Sequence, residues 1–150
     1  MVQTAYTEDR VEGLLGGISA IGGEQRVVSY RCAADVVPGT ALSFTADGDV
    51  TPVGSASLAF AGIALNTAIG SSAGGDTYQN GDLVPTADRV SVWCTLTGTT
   101  AAAIGGAVYR VLATGAITAS AGSGSANALI PNARFESTGS TGDLVDVRLG

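Results

Sequence analysis

The sequence predicts an all-β protein, a compact sandwich or small barrel of short antiparallel strands with an extended N-terminal arm. From Gln25 onward, short apolar runs with a period of two alternate with turns that contain Gly, Pro, Asn and Asp, which is the pattern of half-buried strands joined by tight turns. No long segment shows the 3.6-residue period of a helix, and the helix formers Lys, Gln and Met are absent or scarce. We therefore divide the chain into an arm, residues 1–24, and an all-β domain, residues 25–150.

The arm differs from the rest of the chain in composition. It holds four of the thirteen acidic residues, and its glycines interrupt every periodic pattern. Its apolar residues, such as Leu14, Leu15 and Ile18, are too sparse to form a core, so they either fold back on the domain or dock on a partner. A frayed terminus is the remaining alternative. The first ten residues lack the basic and apolar regions of a secretory signal, which predicts synthesis in the cytoplasm without export.

The clearest strand covers residues 90–97, where Val90, Val92, Cys94 and Leu96 share one face. Shorter runs of the same kind, each bounded by turn residues, are 26–33, 41–46, 58–65, 106–112, 130–136 and 144–149.

The best helical candidate is 55–68, which its β-branched residues and Gly62 weaken. Two stretches rich in Gly, Ser and Ala, 70–81 and 120–128, are predicted to be exposed loops. The last two predicted strands allow a register prediction, in which Arg134 lies opposite Asp146 as a cross-strand ion pair worth roughly 0.2–1 kcal/mol.

Several single residues have two interpretations. Trp93 either faces a partner or is buried in a sandwich that is packed on both faces. Tyr6 and Tyr78 fall in the arm and in a predicted loop, where an aromatic side chain more often anchors an interface. Cys32 and Cys94 lie in alternating apolar runs and are predicted to be buried structural thiols.

The composition excludes most enzyme chemistry, because the chain contains no Lys and no His. Nucleophilic triads and P-loops therefore lack their usual base or phosphate ligand. The acidic pairs Asp47 with Asp49 and Asp82 with Asp88 are formally possible catalytic carboxylates, but turn residues that bond their own backbone explain them better. Neither these pairs nor 75–82 follow a calcium-binding spacing. We expect no catalytic activity, no cofactor and no metal.

The net charge of −6 and the sequence pI near 4.3 argue against a nucleic-acid partner, since the seven Arg residues are scattered along the chain. A membrane span at 101–119 is not expected, because Arg110 would lie near its centre and glycines divide it into strand-sized pieces.

The carboxyl-terminal two thirds resembles the capsid cement, or head decoration, proteins of tailed bacteriophages. The likeness lies in FAGIAL at 60–65, NGDLV at 80–84, GGAVY at 105–109, and ARFES at 133–137 followed by GDLVDVRL at 142–149. It covers about 35–149, whereas residues 1–30 depart from compact members of the family. The resemblance implies an all-β homotrimer on the outer capsid surface, made in the host cytoplasm. It also implies that the protein bridges neighbouring major capsid protein subunits at three-fold or quasi-three-fold positions and resists the pressure of packaged DNA.

On this interpretation we expect the arm to supply the capsid contacts through Tyr6, Arg10, Leu14, Leu15 and Ile18. Extended arms can add strands to a neighbour's sheet, and a trimer multiplies weak contacts by avidity. The alternative is a host-surface or carbohydrate-binding β-module of a virion or cell surface, which exposed aromatic side chains clustered on loops would favour.

Overall fold

The computed structural model describes residues 15–20, 25–66, 77–124 and 126–150. These ranges contain no helix, and the all-β prediction is confirmed. Their eleven strands are β1 Ile18–Ala20, β2 Arg26–Arg31, β3 Ala41–Phe44, β4 Val50–Thr51, β5 Phe60–Ala64, β6 Leu83–Arg89, β7 Ser91–Thr97, β8 Ala107–Val111, β9 Ile117–Thr118, β10 Asn127–Phe135 and β11 Leu144–Arg148.

The strands form two sheets. The first has the order β1-β7-β11-β10-β8-β9, and β9 also pairs in parallel with β7, so five of its strands close into a ring to which β1 is added. The second has the order β2-β6-β5-β3-β4, with antiparallel pairs throughout. A parallel bridge from Cys32 to Val50 links its two outermost strands. The fold is therefore a sandwich of two strongly curled sheets.

The core that joins the sheets is apolar on both sides. Phe135, Ile130 and Leu96 of the first sheet pack in one cluster with Ile63 and Ala41 of the second. A second cluster is enclosed by the second sheet and contains Cys32, Val36, Leu42, Val50, Ala61, Ala64, Tyr78 and Val84. Burying one such large side chain stabilises the fold by roughly 1.5–3 kcal/mol, so both clusters matter for stability.

The buried side chain of Arg110 links the two sheets by hydrogen bonds. Although only 5% exposed, it donates hydrogen bonds from β8 to the Ser43 hydroxyl on β3 and to the Leu58 carbonyl at 3.0 Å. Its guanidinium lies 5.5 Å from the centre of the Phe60 ring. Burial lowers the pKa of Arg110, and its Nε finds no acceptor within the described ranges.

Strand β6 is absent from the sequence-based prediction because it contains Pro85, which cannot donate to a sheet ladder. Pro85 lies opposite Leu65, whose amide donates to the Pro85 carbonyl at 2.8 Å. The return bond, from an amide at position 85 to the Leu65 carbonyl, is impossible. The Tyr78 hydroxyl donates to that carbonyl instead, at 2.7 Å.

The predicted role of Tyr78 as an exposed anchor is therefore wrong. Its side chain is only 4% exposed and packs in the second hydrophobic cluster, and its backbone pairs with Val36. Trp93 is also buried, at 6% exposed, which resolves its two interpretations in favour of burial. Cys32 and Cys94 are buried free thiols, as predicted.

The predicted register between the last two strands is wrong by two residues. The strands do pair antiparallel, but Arg134 lies opposite Arg148, and Asp146 is fully buried. Arg134 instead forms an ion pair with Glu136 on its own strand, at 2.6 Å. A slip of two residues keeps every side chain on the same face, so the burial of the core side chains does not distinguish the two registers. The hydrogen bonds at the end of the hairpin do: the Glu136 amide donates to the Asp146 carbonyl at 2.8 Å, and the Asp146 amide donates to the Ser137 hydroxyl at 2.9 Å.

The helical candidate at 55–68 is also wrong, because β5 occupies its centre. Gly62 has φ +144°, and a Cβ there would lie 2.4 Å from the Ala87 carbonyl oxygen, so the close approach of β5 to β6 requires glycine.

The predicted loop at 120–128 overlaps the start of β10, and most of the predicted loop at 70–81 lies outside the described residues. No helix in the described ranges has the length and apolarity that a membrane crossing requires.

Candidate functional site

The described part of the arm lies against the domain. The Gly16 amide donates to the Trp93 carbonyl at 2.7 Å, and the Trp93 amide donates to the Gly17 carbonyl at 2.9 Å. The Gly16 carbonyl accepts from Asn66 at 2.9 Å. A Cβ at Gly16 would lie 2.7 Å from the side chain of Pro38, so the backbone fits only without a side chain. Residues 15–20 thus fold back on the domain, which is one of the three alternatives for the arm.

The five predicted capsid-binding residues fall into two groups. Leu15 is half-buried, and its Cδ1 packs so closely on Gly39 that a Cβ there would lie only 2.5 Å away. Ile18 opens β1 opposite Val92, and its side chain is 42% exposed. The other three, Tyr6, Arg10 and Leu14, lie outside the described residues. Of the two described, Ile18 presents its side chain to solvent, and Leu15 holds the arm to its own domain.

A cleft of about 340 Å³ opens where the two sheets meet. The aromatic side chains of Tyr30, Phe44 and Phe60 line it, with the first two rings edge to face at 5.1 Å. On the opposite side stand Pro131 and Asn132, in a bulge of β10 where Asn132 adopts φ +58°. The cleft thus combines a rigid aromatic lining with an irregular wall.

Two pairs of Arg residues lie opposite each other across neighbouring strands, which the sequence did not predict. Arg26 lies opposite Arg89 across β2 and β6, and both line the cleft. Arg134 lies opposite Arg148 across β10 and β11, on the outer face of the first sheet, because the adjacent Phe135 and Val147 face the core. All four side chains are exposed. Only the strand register, a non-local property, makes these residues neighbours.

Two of these Arg residues form ion pairs with neighbouring carboxylates. Asp88 forms an ion pair with Arg26 at 3.2 Å, and Glu136 forms one with Arg134. The second carboxylate oxygen of Asp88, Oδ1, is buried and accepts no hydrogen bond from any described residue. Like charges directly opposite each other destabilise a sheet, and the carboxylates of Asp88 and Glu136 offset part of this repulsion.

The carboxylates that the sequence offers as catalytic candidates have structural roles. Asp49 binds the guanidinium of Arg31 at 2.9 Å, and this hydrogen bond is the main cause that raises the pKa of Arg31. Asp82 accepts a hydrogen bond from the Gln79 amide at 2.8 Å, and Asp88 pairs with Arg26. In the described ranges no group of three or more His, Cys, Asp or Glu side chains could hold a metal ion.

Comparison with known proteins identifies one family. The model of the structural cement protein family (E217 gp24/Pam3 gp6) matches residues 2–150. A chain from the capsid of the Myoviridae phage XM1 has a similar fold, with a TM-score of 0.74 at 15% sequence identity, over 99% of this chain and 97% of that one. No curated protein sequence matches. The family match begins at residue 2, so residues 1–30 do not depart from the family as the resemblance implied.

Proposed function

This chain belongs to the structural cement proteins of phage capsids, and we propose that it binds the outer capsid surface and bridges neighbouring major capsid protein subunits. The family makes it a structural protein of the virion, which implies that it is not an enzyme. The observation that carries the proposal is the family match over essentially the whole chain, arm included.

We place the bridge at three-fold or quasi-three-fold positions, where a homotrimer would hold the shell against the pressure of packaged DNA. The resemblance in the sequence supports this finer statement. A trimer also suits the task physically, since once one subunit has bound, the other two bind at a high effective concentration.

Within this proposal the arm supplies capsid contacts through Tyr6, Arg10, Leu14, Leu15 and Ile18. The exposed side chain of Ile18 is available for direct contact. Leu15 contributes by holding the described part of the arm against Gly39.

The test mixes the purified protein with capsids assembled without it and measures co-sedimentation. A variant that lacks residues 1–13 keeps Leu15 and β1 on the domain, so its melting temperature and mass should match those of the wild type. We expect wild-type binding, loss of binding on truncation, and a native mass of three chains. Equal binding of the truncated protein would refute the role of the arm, and a mass other than three chains would refute the trimer.

The alternative, a host-surface or carbohydrate-binding module, loses support because Tyr78 is buried rather than displayed on a loop. A wild-type protein that binds glycans and does not co-sediment with capsids would instead support this alternative.

A further inference from the structure

We propose that an apolar, uncharged surface on the outside of the first sheet is where copies of this chain pack against one another. It consists of Val53, Tyr109, Val111 and Leu129, and we call it the uncharged face. The inference rests on the proposed function and deepens it, because it names the surface through which the proposed trimer would assemble. In that arrangement the uncharged face joins the copies to each other, and the arm joins them to the capsid.

The uncharged face lies mainly on β8 and β10. In β8 the buried residues Val108 and Arg110 alternate with Tyr109 and Val111, which are half-buried and point away from the core. Leu129 of β10 lies directly opposite Tyr109, and its side chain is 55% exposed. Residues directly opposite each other in an antiparallel pair have their side chains on the same face, so Tyr109 and Leu129 are neighbours on the outside of the sheet.

Val53 continues the face beyond the end of β8. The amide of the following residue, Gly54, donates to the Leu112 carbonyl at 2.8 Å, which places Val53 beside the end of the strand that carries Val111. A Cβ at Gly54 would lie 2.5 Å from the hydroxyl of the buried Ser43, so Gly54 faces the interior. Its neighbour Val53 faces outward and is 55% exposed.

The composition of this face differs from that of an ordinary solvated sheet surface, which is polar. Residues 90–133 contain one charged residue, Arg110, and its side chain is buried. Asn127, the polar residue opposite Val111, already donates from its Nδ2 to the Ser120 carbonyl at 2.9 Å. Exposed apolar surface without charges is typical of the central part of a protein–protein contact.

The outer surface of the same sheet is charged at the other end of β10. There Arg134 points outward opposite Ala107 and forms an ion pair with Glu136. One strand thus carries an apolar, uncharged outer end and a charged outer end. Since charged residues are depleted at the centre of interfaces, the contact belongs to the end that carries Leu129.

The net charge of the chain indicates that the occupant is a second copy. Each copy carries a net charge of −6, and a net charge far from zero keeps identical molecules apart. Two copies can therefore pack closely where neither brings acidic side chains to the other. A charged partner surface would lose its hydration on the uncharged face without gaining a counter-ion, whereas a second copy supplies an apolar, uncharged surface that matches it.

The first test measures the association of the purified full-length protein without capsids. Leu129→Glu places a carboxylate on the uncharged face. The matched control is Leu83→Glu, because Leu83 is also an exposed leucine, at 66%, but lies on β6 of the second sheet. At both positions the side chain is more than half exposed, so the new carboxylate stays hydrated in the single chain, and circular dichroism should show both variants folded like the wild type.

We expect sedimentation velocity to show equal association of the wild type and Leu83→Glu. Leu129→Glu should need a concentration higher by about tenfold or more, because the contact loses an apolar side chain and would have to dehydrate a charge. Added salt should strengthen the association of the wild type, since it screens the net charge and breaks no ion pair in the contact. A wild type that stays a single chain, a Leu129→Glu variant that associates like the control, or weakening by salt would each overturn the inference.

The second test adds no charge. The native thiols of Cys32 and Cys94 are buried, so Leu129→Cys and the control Leu83→Cys each add one accessible thiol, whose alkylation rate reports its exposure. We expect the thiol of Leu129→Cys to react about tenfold more slowly when the protein is concentrated enough to associate than when it is dilute. The thiol of Leu83→Cys should react equally fast in both conditions. Equal rates for Leu129→Cys in both conditions would show that no second copy covers the face.

Co-sedimentation with capsids separates this inference from the proposed function. If the wild type associates through the uncharged face and does not bind capsids, the proposed function fails and the inference stands. If Leu129→Glu associates like the wild type and loses capsid binding, the face docks on the capsid. The inference is then wrong, and the proposed function stands.

Discussion

Replacing Tyr78 with Phe removes one oxygen atom, and the structure gives that atom a defined task. The Tyr78 hydroxyl donates to the Leu65 carbonyl at 2.7 Å, in place of the amide that Pro85 lacks. Because Tyr78 is only 4% exposed, water cannot readily take over this bond. A buried carbonyl left without a donor costs about 1–3 kcal/mol. In a domain of this size that corresponds to a melting temperature lower by roughly 2–12 °C.

A double-mutant cycle tests the reason for this loss as well as its size. Pro85→Ala restores a backbone amide opposite Leu65, so Tyr78→Phe should cost less in that background than in the wild type. Urea unfolding of the four proteins, with the slope checked for constancy, gives the coupling free energy, which we expect to be about 0.5–3 kcal/mol. A cost of Tyr78→Phe that is the same in both backgrounds would show that the hydroxyl does not replace the missing amide.

Three further predictions concern the backbone at Gly62, the thiol of Cys94 and the arm. Gly62→Ala should lower the free energy of unfolding by about 2–5 kcal/mol, because its Cβ would meet the Ala87 carbonyl oxygen. The control is Gly48→Ala, which is also at positive φ but in open space and should lower the same free energy by about 1 kcal/mol. Urea unfolding measures both. Burial raises the pKa of Cys94, so the native state keeps the proton that the unfolded state releases. Stability should therefore fall as the pH rises above about 9, and Cys94→Ala should flatten that part of a pH–melting curve. Deleting residues 1–17 removes the acceptor of the Trp93 amide, whose hydrogen exchange should become markedly faster; unchanged protection would contradict the docking of Gly17 on β7.

The sequence was sufficient to predict the strands whose apolar residues have a clear period of two. Six of the seven predicted runs contain an observed strand, from β2 within 26–33 to β11 within 144–149, and the seventh, 130–136, overlaps β10, which begins three residues earlier. The strands β4 and β9 have two residues each, too few to show a period. Strand β6 was not predicted because it contains Pro85. The amide that Pro85 lacks is replaced by the Tyr78 hydroxyl, which donates to the Leu65 carbonyl just after β5.

The candidate site was less predictable, because it depends on register. The charge pattern alone offered Arg134 with Asp146, an attractive pair, whereas the structure pairs Arg134 with Arg148, a repulsive one. The two registers differ by two residues and place Phe135 opposite Val145 or Val147, which are equally buried, so core burial does not distinguish them. The hydrogen bonds that close the hairpin, from the Glu136 amide to the Asp146 carbonyl and from the Asp146 amide to the Ser137 hydroxyl, could not be derived from charges considered along the chain.

Strand β7 connects the described part of the arm to the rest of the first sheet. It pairs with β1 of the arm, with β11, and with β9, which closes the ring of the first sheet. Its side chains are buried on both faces from Ser91 to Cys94, so it cannot shift without opening the core. A force applied to β1 therefore reaches β11 through backbone hydrogen bonds rather than through a flexible linker. The proposed bridge between capsid subunits requires this stiffness, because a compliant connection would let the subunits separate before it carried load.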